Sequence, residues 1–223
     1  MSASLIQDYL QTQGLKLPLD EVRAAYAAAQ AVINLGTASI DRTILWYEQD
    51  DVTLAEHIQP NETNEALLKQ VFMALDSTYS RRTDVKSAVV YARLPSVDLQ
   101  SQLICLSRQG EPIEYQVAVH DDNSQIYLAS RTAQSGWMNI ANDIPYWLTL
   151  GEIQGARNTG AMSQISVPIC TASGMVLGII HVEFSNKNQA DDTVVTDWTA
   201  LALALAEPMK TLLGIEDEEK QHD

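Results

Sequence analysis

Ser163-Gln164-Ile165-Ser166-Val167-Pro168-Ile169-Cys170, then Thr171-Ala172-Ser173-Gly174, then Met175-Val176-Leu177-Gly178-Ile179-Ile180-His181-Val182-Glu183-Phe184 is the stretch that decides the fold. Two runs rich in β-branched and apolar residues flank a short polar segment ending in glycine, so they read as two strands joined in a hairpin. Side chains alternate across a strand, which places His181 and Glu183 on one face. A sheet-facing histidine hydrogen-bonded to a neighbour is the expected role for His181, ahead of a metal ligand.

Upstream, VKSAVVYARL (85–94) and SQLICLSR (101–108) read as two more strands, joined by a turn around Pro95 and Ser96. A helix precedes them, capped by Thr63 or Asn61, with Leu67, Leu68, Val71, Phe72, Leu75 and Tyr79 on one face. Residues Asp121 to Gln134 predict a helix ending near Gly136. WMNIAND predicts a short strand, and Pro145 to Met162 a long irregular loop. The last helix runs from Asp191 or Asp192 to about Leu213, with Val194, Trp198, Leu201, Leu205 and Leu212 on one stripe and a kink at Pro208. This order predicts an α+β fold, an antiparallel sheet with flanking helices.

The division read from the chain is a mainly helical N-terminal extension over residues 1–62, one domain over 63–214 and an acidic tail over 215–223. Residues 18–36 begin at Pro18, suited to a first helical turn, and stop at Gly36, suited to a C-cap. Leu19, Val22, Tyr26, Ala29 and Ile33 form a seam that fits either packing on the chain's own domain or dimerisation with a second subunit. Residues 42–58 read as a hairpin or as short helical pieces, with helix favoured.

Lys and Arg total 14 against 29 Asp and Glu, a formal net charge of −15. That excludes a nucleic-acid grip spread over the chain, which needs clustered cations. The N-terminal residues lack the basic start and apolar run of a signal peptide, and no run reaches a membrane span of roughly 18 apolar residues. The expectation is an acidic cytoplasmic protein with no membrane partner.

No enzymatic constellation emerges. There is no Gly-x-Ser-x-Gly elbow, no phosphate-cradling loop and no dinucleotide fingerprint, and the four histidines are scattered. No metal site is expected and no motif names a cofactor. Cys105 and Cys170 sit within predicted strands, as small buried hydrophobes do; thiol redox chemistry is the weaker alternative. The suggestive region is 131–164, where Trp137, Tyr146 and Trp147 bring three aromatics together with Arg131, Asp143 and Arg157. Small-molecule pockets combine apolar and aromatic walls with a few orienting polar groups. The aromatics would supply stacking surface and the charged residues orientation, the arginines suggesting an anionic group on the ligand.

With these residues in view, the pattern resembles the GAF domain family, the small-molecule sensor fold related to PAS. The similarity rests on Asn139-Ile140-Ala141-Asn142-Asp143 with Pro145-Tyr146, on the serine, Val-Pro-Ile, glycine-turn and Gly-Ile-Ile series quoted above, and on the final amphipathic helix. It covers about residues 63–213. The resemblance implies a sheet with the first and last helices on one face and a ligand pocket on the other, roofed by the middle helix and loops. It also implies dimerisation through the terminal helices. Asn186-Lys187 and Asp191-Asp192 lack the Phe that accompanies such pairs in cyclic-nucleotide-binding members. Asp143-Ile144-Pro145 is similar to a tripeptide of bilin-binding photoreceptors, but no cysteine lies near the expected attachment helix. The family's methionine sulfoxide reductases carry catalytic cysteines in the loop before the Val-Pro-Ile strand, and residues 145–162 contain none. The resulting expectation is a non-enzymatic sensory module that binds an unidentified small molecule and signals through a homodimer or a protein partner. A dimerisation scaffold with a vestigial pocket is the alternative.

Overall fold

The computed structural model describes residues 3–35, 39–96 and 100–215. The expected C-cap Gly36 and the acidic stretch 216–223 lie outside them.

Six strands form one sheet in the order β5-β4-β3-β8-β7-β6, with every neighbouring pair antiparallel. They are β3 (Val85–Pro95), β4 (Ser101–Gly110), β5 (Gln116–Val119), β6 (Asn139–Ala141), β7 (Ser163–Cys170) and β8 (Val176–Phe184). Strands β7 and β8 form the expected hairpin, and β8 crosses to the sheet centre to pair with β3.

Alternation divides the sheet into two unlike faces. On one, Ile165, Val167 and Ile169 of β7 stand beside Val182, Ile180 and Gly178 of β8, and Ala88, Val90 and Ala92 of β3 continue the row. This apolar face packs on α4 (Glu62–Tyr79) and α8 (Asp192–Leu212). Helix α8 contributes Trp198, Leu201, Leu205 and Met209, all fully buried. Its N-terminus is capped by Asp191, whose side chain accepts from the Val194 amide at 2.8 Å, and the helix continues through Pro208. Asn61 caps α4, accepting from the Asn64 amide at 2.8 Å.

The N-terminal helices join this layer. Helix α2 (Leu19–Leu35) packs on α4 and α8, burying Val22, Ala29 and Ile33, and Gln30 donates to the Ala204 carbonyl at 3.0 Å. The seam read from the sequence is therefore covered within the chain. Helix α1 (Ala3–Thr12) inserts Ile6 and Leu10 against Val22 and Leu203.

Three segments differ from their expected form. Residues 42–58 hold a four-residue helix α3 (Arg42–Leu45), a hairpin of β1 (Glu48–Gln49) with β2 (Val52–Thr53) and a single 3-10 turn. Asp50 and Asp51 take left-handed φ values of 51° and 62°, the conformation of a two-residue hairpin turn. The single helix expected over 121–134 is split into α5 (Asp121–Ser124) and α6 (Leu128–Ser135). Between them the Gln125 carbonyl accepts from the Gln154 amide, and the Ile126 carbonyl from the Asn158 side chain, so neither continues a helix. The expected irregular loop contains α7 (Ile144–Leu150), started by Asp143 and Pro145 and stopped by Gly151 at φ 73°, followed by a 3-10 helix at Ala156–Gly160.

Helices α5, α6 and α7 and the 3-10 helix form a lid over the second sheet face. Leu128, Ala141, Ile144 and Ile153 give this lid a small core of its own. Among the described residues no helix is long and apolar enough to cross a membrane.

Candidate functional site

The sheet face under the lid is polar at its centre. Ser87 of β3, Gln164 and Ser166 of β7, and His181 and Glu183 of β8 fall on it together, because Ser166 pairs with His181 and Glu183 pairs with both Gln164 and Ser87. All five are buried. Burying polar groups is costly unless they are partnered, so these five and the groups that satisfy them are the candidate site.

Arg157, from the 3-10 helix, closes this face. Its Nε donates to Glu114 Oε1 at 2.8 Å, one Nη donates to Glu114 Oε2 at 2.9 Å, and the same nitrogen donates to Glu183 Oε1 at 2.8 Å. The guanidinium also lies 5.1 Å from the centre of the Tyr127 ring. Glu114 comes from the connection between β4 and β5, and Tyr91 fixes that connection by donating to the Glu114 carbonyl at 2.7 Å. Asn158 anchors the 3-10 helix by donating to the Ile126 and Gln154 carbonyls, while its Oδ1 accepts from Gln164 Nε2 at 3.1 Å.

Beside this clamp, Ser166 Oγ lies 2.6 Å from His181 Nδ1, and His181 Nε2 stands 3.5 Å from Glu183 Oε1. Ser87 Oγ donates to the other Glu183 oxygen at 3.3 Å. Burial alone would raise the Glu183 carboxyl, but the adjacent His181 and Arg157 outweigh it and hold the group down to about 2. Burial pulls the Arg157 guanidinium down; Glu183 and Glu114 reverse this and raise it above its ordinary value. One buried polar atom of this face, Gln164 Oε1, has no hydrogen-bond partner, and His181 Nε2 has only its long contact to Glu183. The face thus sets two carboxylates against one guanidinium, with the Gln164 Oε1 acceptor alongside.

Of the residues singled out in the sequence as ligand contacts, only Arg157 lies in this network. Arg131 donates to the Ser124 and Glu152 carbonyls and so ties α6 to the segment after α7. Asp143 caps α7 through the Tyr146 amide and pairs with Lys187 at 2.8 Å; the hydrogen bonds hold its carboxyl below the usual range. Trp147 packs against the lid core, whereas Trp137 and Tyr146 are 56% and 57% exposed. All three side-chain nitrogens of Arg157 donate to protein acceptors, as do two of Arg131. Glu114, Ser87, Gln164 and Ser166 were not singled out by sequence reasoning. The polar residues interrupting the apolar β7 run at Gln164 and Ser166 were the signal.

The two thiols are far apart, and burial raises both. Strands β4 and β7 are separated by β3 and β8, so about 14 Å of sheet lies between Cys105 and Cys170, beyond disulfide reach. Burial pushes the Cys105 thiol up to about 12 and the Cys170 thiol to about 11.

No protein-family model and no curated protein matches the chain. Solved structures do. A GAF-domain protein of Burkholderia vietnamiensis aligns with a TM-score of 0.58 at 15% identity, over 87% of this chain and 97% of that one. The type II free methionine-R-sulfoxide reductase of Thermoplasma acidophilum aligns at 0.57 and 14% identity, over 68% and 96%. The free methionine-R-sulfoxide reductase of Neisseria meningitidis, in complex with its substrate, aligns at 0.55 and 12% identity, over 87% and 92%. Two of these three are enzymes. The expectation that the chain is not an enzyme is thereby corrected: this fold houses reductases as well as sensor domains, and missing cysteines in one loop do not exclude catalysis.

Proposed function

We propose that this chain, which has a GAF-type fold, is a ligand-binding module whose lid closes over an amino-acid-sized polar molecule on the face of β3, β7 and β8. The Glu114–Arg157–Glu183 clamp carries the reading. When the 3-10 helix lifts, a ligand ammonium takes the position of the guanidinium between the carboxylates, and a ligand carboxylate meets the displaced Arg157. Gln164 Oε1 supplies one further hydrogen-bonding position. That two similar structures act on a free amino acid derivative supports this ligand class.

Occupancy shifts the population of the lid, and the shift passes to a partner protein or a second copy of the chain through the helical layer. The role is that of a cytoplasmic sensor. The scaffold reading is favoured by one observation, that Arg157 already fills the polar face. A thermal-shift screen of free amino acids, methionine sulfoxide included, separates the two. At least one compound raises Tm of the wild type and leaves Glu183→Gln unchanged if the site binds. A flat screen supports the scaffold.

A further inference from the structure

A cavity lies between α1 and α8 and reaches Gly136 at the end of α6. It has a volume of about 480 Å³ and is bounded by α1, the β7–β8 turn and the C-terminal half of α8. That volume is ample for a small organic molecule. Its walls are of two kinds. Leu203, Ala206 and Cys170 give an apolar floor, closed on one side by Tyr9, whose hydroxyl donates to the Pro168 carbonyl at 2.7 Å. At the rim stand Asp8, Glu207 and Lys210, two carboxylates and one ammonium, with Lys210 3.6 Å from Glu207. The rim therefore carries a net negative charge, within a chain whose net charge of −15 also draws cations.

We infer that this cavity is a binding site for a small amphipathic amine, its aromatic or aliphatic body on the Leu203–Ala206–Cys170 floor and its ammonium at Asp8 and Glu207. The site is independent of the one on the sheet face.

Its walls are held in place. Gln13, at the end of α1, donates to the Gly136 carbonyl at 2.9 Å and accepts from the Met138 amide at 2.7 Å, which ties α1 to the end of the lid helix α6. Thr171 Oγ1 contacts Ser173 Oγ at 2.8 Å and accepts from the Met175 amide at 3.1 Å, which stiffens the turn. An occupant therefore meets preformed walls on three elements, so little ordering opposes binding.

The test uses amide NMR of the full chain with two probes of similar ring and opposite charge, tryptamine and indole-3-propionate. Tryptamine shifts the amides of Gln13, Gly136, Thr171 and Gly174 saturably, and indole-3-propionate binds roughly tenfold more weakly or not at all. In the Asp8→Asn/Glu207→Gln variant that preference disappears. Glu183→Gln on the sheet face leaves the shifts as they are. Absence of saturable shifts at millimolar tryptamine, equal affinity for both probes, or loss of the shifts in Glu183→Gln would each overturn the inference.

Discussion

Arg157 and Glu183 lie 26 positions apart in the chain and meet at 2.8 Å under the lid, one on the 3-10 helix and the other near the end of the inner strand β8. Their side chains are 17% and 9% exposed, so the pair is largely withdrawn from water. This contact fastens the lid to the sheet, and in the proposed mode of binding it is the contact that a ligand replaces.

Removing the guanidinium leaves two carboxylates facing each other. Arg157→Ala is expected to destabilise the fold by about 3 kcal/mol, because breaking a buried pair strands its partner. For a chain of this size that is a fall of roughly 6–12 °C in Tm. Arg157→Ala/Glu183→Gln recovers part of the loss, and differential scanning calorimetry of the four proteins measures the coupling.

Acid stability follows from Glu183. Its folded pKa of about 2 lies below the ordinary 4.5, so its contribution is complete above pH 4.5 and is lost as pH falls towards 2. That shift is worth about 3 kcal/mol. Urea unfolding in steps from about pH 5 to pH 2 should show a shallower acid limb for Glu183→Gln than for the wild type. Equal slopes would mean that Glu183 does not carry the acid sensitivity.

Gly178 has a steric reason to be glycine. A Cβ there would lie 2.1 Å from the Tyr91 carbonyl oxygen and 2.7 Å from Met209 Cε, in the seam where β8 pairs with β3 and packs on α8. Gly178→Ala should cost more than about 3 kcal/mol or abolish folding. Gly174→Ala, in the open turn with nothing within 4 Å but φ at +88°, should cost only about 1 kcal/mol. Chemical denaturation of both variants checks the ranking.

The thiols should behave as separate groups. Under native conditions at mildly alkaline pH, iodoacetamide should modify the half-buried Cys170 slowly and leave Cys105 intact until the protein unfolds. Peptide mass spectrometry distinguishes the two sites, and no Cys105–Cys170 disulfide should appear under oxidation.

The strands and long helices were legible because their signals are local. The β7–β8 hairpin, the α4 cap at Asn61 and the α8 stripe each follow from alternation, capping or helical spacing. The lid was less legible. Its breaks at Gln125 and Ile126 arise from carbonyls drawn to Gln154 and Asn158, contacts that no local pattern carries. The candidate site divided the same way. Arg157 stood out as a charge in an aromatic-rich stretch, but its partners come from the β4–β5 connection and from β8, far along the chain. His181 and Glu183 were visible as neighbours on one strand face, and only the tertiary fold joins them to Arg157. Trp137 and Tyr146 drew attention as aromatics, yet they stand on the outer surface of the lid.

Native mass spectrometry of the purified chain in a mixture of free amino acids, with Glu183→Gln beside it, tests most directly whether the clamp is a binding site. A one-to-one adduct of amino-acid mass is expected on the wild type and none on the variant. No adduct on the wild type at millimolar ligand, or the same adduct on both proteins, would contradict binding at the Glu114–Arg157–Glu183 clamp.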